Sequence, residues 1–149
     1  MYTARMTDVS NHDRPVADAL RGHWVDTFLP GVLRPYARLM RLDRPIGWWL
    51  LLLPCWWGLE LAQMAVGGGL PDLRDAFLMF VGAVIMRGAG CTLNDIADRS
   101  FDARVARTMS RPIPSGQVTV RQAAVFLVLL CVAGLAILLQ FNWYTVVLG

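Results

Sequence analysis

The chain has 149 residues, 56% of them hydrophobic, and a mean hydropathy of +0.45. An ordinary soluble domain is about 45–50% apolar, so this composition excludes one and places the chain in a bilayer, where the long apolar runs described below predict an all-α membrane protein, a transmembrane helical bundle. All fourteen basic residues are arginine, yet the formal net charge is only +3, which argues against nucleic acid, and the hydropathy argues for the lipid bilayer as partner.

Residues 1–30 are polar, mixed in charge and without clear periodicity, which predicts a flexible cytosolic tail. His12 and His23 stand alone in it, with no acidic or cysteine partner at ligand spacing, and read as solvated side chains. Residues 31–149 read as one membrane domain. From Val32 to Leu42, apolar Val32, Leu33, Tyr36, Leu39 and Met40 alternate at helical spacing with Arg34, Arg38 and Arg41. The pattern predicts a short helix in the membrane interface with its arginines towards lipid phosphates. It also fits a first turn of the next membrane helix, because Pro45 can end one helix or begin another.

Three apolar runs follow, Ile46–Val66, Ala76–Leu93 and Ala123–Gln140, each about 20 residues and so long enough to cross hydrocarbon. They predict spans at about 46–66, 76–93 and 120–140, with a fourth opening at Trp143. The first run is too long, and too far from the N-terminus, for a signal peptide. Trp48 and Trp49 fit an interfacial belt, whereas Trp56 and Trp57 sit mid-span and fit packing on another helix or the lining of a cavity. Cys55, Cys91 and Cys131 lie inside apolar runs without Cys-x-x-Cys spacing and read as small buried hydrophobes. The connector from Gly67 to Asp75 is a tight turn with one arginine. The connector from Asn94 to Arg121 carries Arg99, Arg104, Arg107, Arg111 and Arg121, so the excess of arginine places it and the N-terminus in the cytoplasm.

Directly after the second run comes Asn94-Asp95-Ile-Ala-Asp98-Arg-Ser-Phe-Asp102. In a continuous helix Asn94, Asp98 and Asp102 fall at i, i+4 and i+8, with Asp95 beside them inside an arc of about 100°. Carboxylates this close repel unless a cation sits among them, and hard oxygen ligands that leave room for water suit Mg²⁺ shared with a diphosphate. Such a stripe in a soluble protein is most simply a solvated face. Here it follows the small residues Gly88-Ala-Gly90-Cys-Thr, which let helices approach, and ionisable groups at membrane depth line cavities. An EF-hand is excluded by the missing central glycine and closing glutamate. Arg107 and Arg111, ahead of the stiff Pro112-Ile-Pro114-Ser-Gly116 turn, are placed to fold back on the carboxylates as a clamp for diphosphate oxygens. Arg99 fits pairing with a neighbour. Arg87 and Glu60, inside apolar runs, need a partner, a wet cavity or a route to the interface.

Asn94-Asp95-x-x-Asp98-x-x-x-Asp102, followed by Arg107-Thr108-x-x-Arg111-Pro112-Ile113-Pro114-Ser115-Gly116, resembles the UbiA superfamily of membrane aromatic prenyltransferases. Arg41-Leu-Asp-Arg44-Pro45-Ile46-Gly47-Trp48-Trp49 narrows the likeness to the branch that acts on 4-hydroxybenzoate in ubiquinone biosynthesis. The similarity runs from about Tyr36 to the end. It implies a nine-helix bundle, of which this chain holds three spans and the start of a fourth, and therefore an incomplete enzyme. It implies transfer of a polyprenyl group from polyprenyl diphosphate to the ring of 4-hydroxybenzoate. Asn94, Asp98 and Asp102 would be the Mg²⁺ ligands, Asp95, Asp98 and Asp102 the catalytic carboxylates, and Asn94, Arg107 and Arg111 the diphosphate-binding set. Arg44 would hold the aromatic carboxylate. The tail shows no Ser-rich transit character, so the compartment expected is a bacterial inner membrane, with a mitochondrial one left open beside it. Prenyltransferases with haem, naphthoate or chlorophyllide acceptors share the aspartate motif, and a non-catalytic remnant or transport module stays open beside them. A CDP-alcohol phosphotransferase is disfavoured, since its Asp-Gly-x-x-Ala-Arg start does not occur.

Overall fold

The computed structural model describes residues 24–44 and 46–148. His12, His23, Pro45 and most of the expected tail lie outside the described residues. Seven helices follow in order: α1 (Trp24–Phe28), α2 (Arg34–Leu39), α3 (Ile46–Ala65), α4 (Leu73–Ala97), α5 (Arg99–Asp102), α6 (Val120–Leu138) and α7 (Trp143–Leu148). No strand occurs among the described residues. The all-helical class read from the hydrophobic runs therefore holds.

Helices α4 and α6 are long and apolar enough to cross a membrane, with mean hydropathies of 1.7 and 2.3. Helix α3 is 20 residues long and carries four tryptophans, Glu60 and Gln63 in an otherwise apolar sequence. Its Pro54 lacks the N–H that would bond one turn back. The Asp72 carboxylate starts α4 by accepting the Arg74 N–H at 2.8 Å. Thr119 and Gln122 start α6 with a reciprocal capping box. Between α3 and α4 the chain reverses through Gly67, Gly68 and Gly69, all at positive φ, which only glycine adopts without strain.

Helix α4 is the axis, packing against α6 on one side and α3 on the other. Two close approaches depend on missing side chains. A Cβ at Gly88 would lie 2.8 Å from Met40, and one at Gly134 would lie 2.6 Å from the Met86 sulfur. Buried Leu39, Ile113, Val118 and Ala123 form the core at the end of α4, with Tyr36, Ile96 and Phe126 against them. Each fully buried side chain of this size stabilises by about 1.5–3 kcal/mol, so this cluster ties α2 and the 103–118 connector to α4 and α6. Outward faces stay apolar, as Trp57, Phe77 and Leu129 show, in keeping with contact to lipid.

Four expectations need correction. The tail does not extend to residue 30, because Val25 is buried and the Arg38 guanidinium donates to Asp26 at 2.7 Å, which fastens α1 to α2. The α2 arginines do not face lipid phosphates. Arg38 pairs with Asp26, Arg34 donates to the Leu29 carbonyl at 2.9 Å and Arg41 reaches Asp95 at 2.8 Å, so acceptors within the protein take all three. Of the three cysteines only Cys91 is buried, because Cys55 and Cys131 sit on outward faces of α3 and α6. The fourth departure, in the acidic stripe, belongs to the site.

Candidate functional site

Helix α4 does not run on through its carboxylates. It stops at Ala97, where Asp98 takes φ −87° and ψ 2°, and a separate turn, α5, carries Asp102. Arg99 fixes the break by donating from its guanidinium to the Ile96 carbonyl at 2.8 Å, satisfying one of the carbonyls that a helix end leaves free. The Asp102 N–H still bonds the Asp98 carbonyl at 2.9 Å, so the expected stripe keeps its helical register and is divided by burial. Asn94 and Asp98 are exposed, whereas Asp95 and Asp102 are buried, at 2% and 8%.

Asn94, Asp95 and Asp98 line a cavity of about 480 Å³ between the start of α3 and the end of α4, together with Arg41, Arg44, Arg87 and Arg111. Ile46, Leu50 and Cys91 give it an apolar side. Both buried carboxylates pair with arginine. Asp95 Oδ1 accepts from Arg41 at 2.8 Å and from Arg111 at 3.4 Å, and the same Arg111 nitrogen donates to Asp102 Oδ2 at 2.9 Å. Asp102 is not on the cavity wall, since Arg111 stands between. Arg44 pairs with the buried Asp43 at 3.4 Å.

Each cation is aimed by local structure. Arg41 ends α2 in the left-handed region, φ 57°, with its N–H on the Arg38 carbonyl and the Leu42 N–H on the Ala37 carbonyl. This is a Schellman turn with arginine where glycine is usual, a conformation costing about 1–2 kcal/mol. Arg111 is held by the connector behind it, where Pro112, Ile113 and Val118 are buried and the Ser115 hydroxyl donates to the Arg111 carbonyl at 2.6 Å. Arg87 crosses α3 at Gly47, where an added Cβ would lie 2.4 Å from its Nε.

Of the residues expected from sequence, the cavity gathers Asn94, Asp95, Asp98, Arg44 and Arg111. Asp102 reaches it only through Arg111. Arg107 is exposed on the connector and lies off the wall, because the buried Thr108 beside it anchors the turn by donating to the Asp102 carbonyl at 3.0 Å. Arg41 and Gly47 were not singled out for the site, although both stand in the Arg41–Trp49 motif. For Mg²⁺ the open donors are the Asn94 amide oxygen and the Asp98 carboxylate. No cluster of three or more His, Cys, Asp or Glu side chains forms a metal cage among the described residues. That set fits Mg²⁺, which takes one or two carboxylates and completes its shell with water and substrate phosphates.

Residues 51–149 match the UbiA prenyltransferase family. The chain belongs to that family. Its UbiA relatives include the mitochondrial 4-hydroxybenzoate polyprenyltransferase of Aedes aegypti, 53% identical over 79% of this chain and 26% of that protein. Those of Arabidopsis thaliana and Rattus norvegicus are 50% and 45% identical, over 85% and 97% of this chain. This UbiA chain spans 30% and 38% of their respective lengths. No solved structure matches it. The relatives are named as mitochondrial, so the bacterial inner membrane expected from the sequence gains no support from them.

Proposed function

We propose that this UbiA chain forms the metal-diphosphate wall of a polyprenyltransferase acting on 4-hydroxybenzoate. One observation carries the reading: an amide and a carboxylate open onto a cavity ringed by four arginines, at the end of a helix apolar enough to cross a membrane. In this proposal α3, α4 and α6 are spans, with the arginine-bearing end cytoplasmic.

The chemistry follows from the residue types. The allylic C–O bond breaks with its electron pair leaving on the diphosphate. Mg²⁺ held at Asn94 and Asp98 would neutralise that departing charge. Arg111 donates to the outer phosphate oxygens through a planar fork, stabilising charge where it develops. Arg107, away from the wall, is not part of this set, and Asp102 acts by holding Arg111. Ile46 and Leu50 keep water from the allylic cation. Arg44 holds the carboxylate of the aromatic acid, whose ring carbon ortho to the hydroxyl attacks the cation and then loses its proton.

Labelled polyprenyl diphosphate and competing acceptors test the proposal, using the protein at the length of its relatives in native membranes. The expected result is Mg²⁺-dependent labelling of 4-hydroxybenzoate and none of a naphthoate. Labelling that survives complete chelation of divalent ions, or a preference for the naphthoate, contradicts it.

A further inference from the structure

We infer that Asp95 is a positioning residue: it binds neither metal nor diphosphate, and instead joins Arg41 and Arg111 into one paired guanidinium face on the cavity. The inference rests on the diphosphate reading above and assigns Asp95 a different task from Asp98, which shares its motif.

Three observations carry it. The first is enclosure. Asp95 borders the cavity, yet it is only 2% exposed and its Oδ2 is buried without a hydrogen-bond partner among the described residues. The second is shared occupancy. Oδ1 receives both arginines, which brings their donor nitrogens no farther apart than the sum of those two bonds. Two guanidinium groups that close repel in the absence of an anion, and Asp95 supplies it from behind. The third is convergence. Arg41 lies 54 residues before Asp95 and Arg111 lies 16 after it, on an unusual left-handed turn and a buried proline connector respectively. A carboxylate on the rigid end of α4 is where these two segments meet.

Position and bare charge give opposite outcomes. Deleting a negative charge beside an anion site strengthens anion binding if charge alone matters, and weakens it if that charge holds the donors in place. The experiment uses the 149-residue chain in lipid nanodiscs, with Mn²⁺ affinity read by electron paramagnetic resonance. Inorganic pyrophosphate affinity in excess Mg²⁺ is read by calorimetry, and arginine reactivity to phenylglyoxal by mass spectrometry. Asp95→Asn is expected to leave Mn²⁺ affinity within about twofold and to lower pyrophosphate affinity about tenfold, the size of one lost charge-assisted contact. It is also expected to make Arg41 and Arg111 reactive. In an Arg111→Gln background the same change loses most of its effect on pyrophosphate. Asp98→Asn instead lowers Mn²⁺ affinity. A rise in pyrophosphate affinity, or a fall in Mn²⁺ affinity matching that of Asp98→Asn, overturns the inference. If the unaltered chain binds no pyrophosphate, the proposed function is what fails. Arginine reactivity then still decides this inference, since unchanged protection in Asp95→Asn overturns it. Should that variant not fold, Asp95→Glu keeps the charge and misplaces it. A fall in pyrophosphate affinity or new arginine reactivity at constant Mn²⁺ affinity supports the inference, whereas lower Mn²⁺ affinity, or unchanged protection and affinity, overturns it.

Discussion

Asn94 and Asp98 share one short segment with Asp95 and Asp102, yet the two pairs meet different surroundings. The first pair opens onto the cavity, whereas the second is buried against Arg41 and Arg111. The helical turn itself separates them: at about 100° per residue Asn94 and Asp98 lie about 40° apart on an outer edge that can receive a ligand, and Asp102 and Asp95 about 20° apart on an inner edge that holds cations. Residue type and spacing alone do not assign the role of an acid at a membrane surface. Whether arginine has already claimed it does.

The sharpest way to break this contrast is through stability. Asp102→Ala leaves Arg111 short of a buried partner and is expected to cost about 3–5 kcal/mol, whereas Asn94→Ala, on the open edge, should stay within about 0.5 kcal/mol. Denaturant titration of the chain in micelles measures both, and equal losses would erase the distinction. In ligand binding, Arg111→Gln should weaken Mg-pyrophosphate by about tenfold and Arg107→Gln by less than about twofold, read by calorimetry. A larger effect at Arg107 would mean that the connector closes over the cavity. The smallest change is Thr119→Ala, which removes the α6 cap and should lower stability by about 1 kcal/mol without altering pyrophosphate affinity.

The helices were legible because long apolar runs bounded by Gly67–Gly69, Asp72 and Thr119 leave little other choice. Arg111 was legible as well, since a guanidinium before Pro112-Ile-Pro114 is bound to a stiff turn that buries its own apolar residues. The division of the acidic stripe was not. It depends on Arg41 and Arg111 reaching Asp95 and Asp102 from other segments, contacts that spacing along one helix does not announce. Arg41 was read as facing lipid because helix periodicity continues across it, while its left-handed φ depends on the Schellman bonds and the pull of Asp95. Arg38 was misread for a similar reason, its partner Asp26 lying in a segment that looked like tail. In each case a tertiary ion pair overrode a local pattern.

The central claim is that the outer edge of the acidic stretch gathers a divalent ion and a lipid diphosphate. Prenyl transfer to 4-hydroxybenzoate by membranes carrying Asp98→Ala, in the protein at its relatives' length, tests it most directly. The account predicts a loss of about 100-fold or more in Mg²⁺-dependent transfer, with membrane insertion unchanged. Transfer at the unaltered rate, with Mg²⁺ dependence intact, would contradict it.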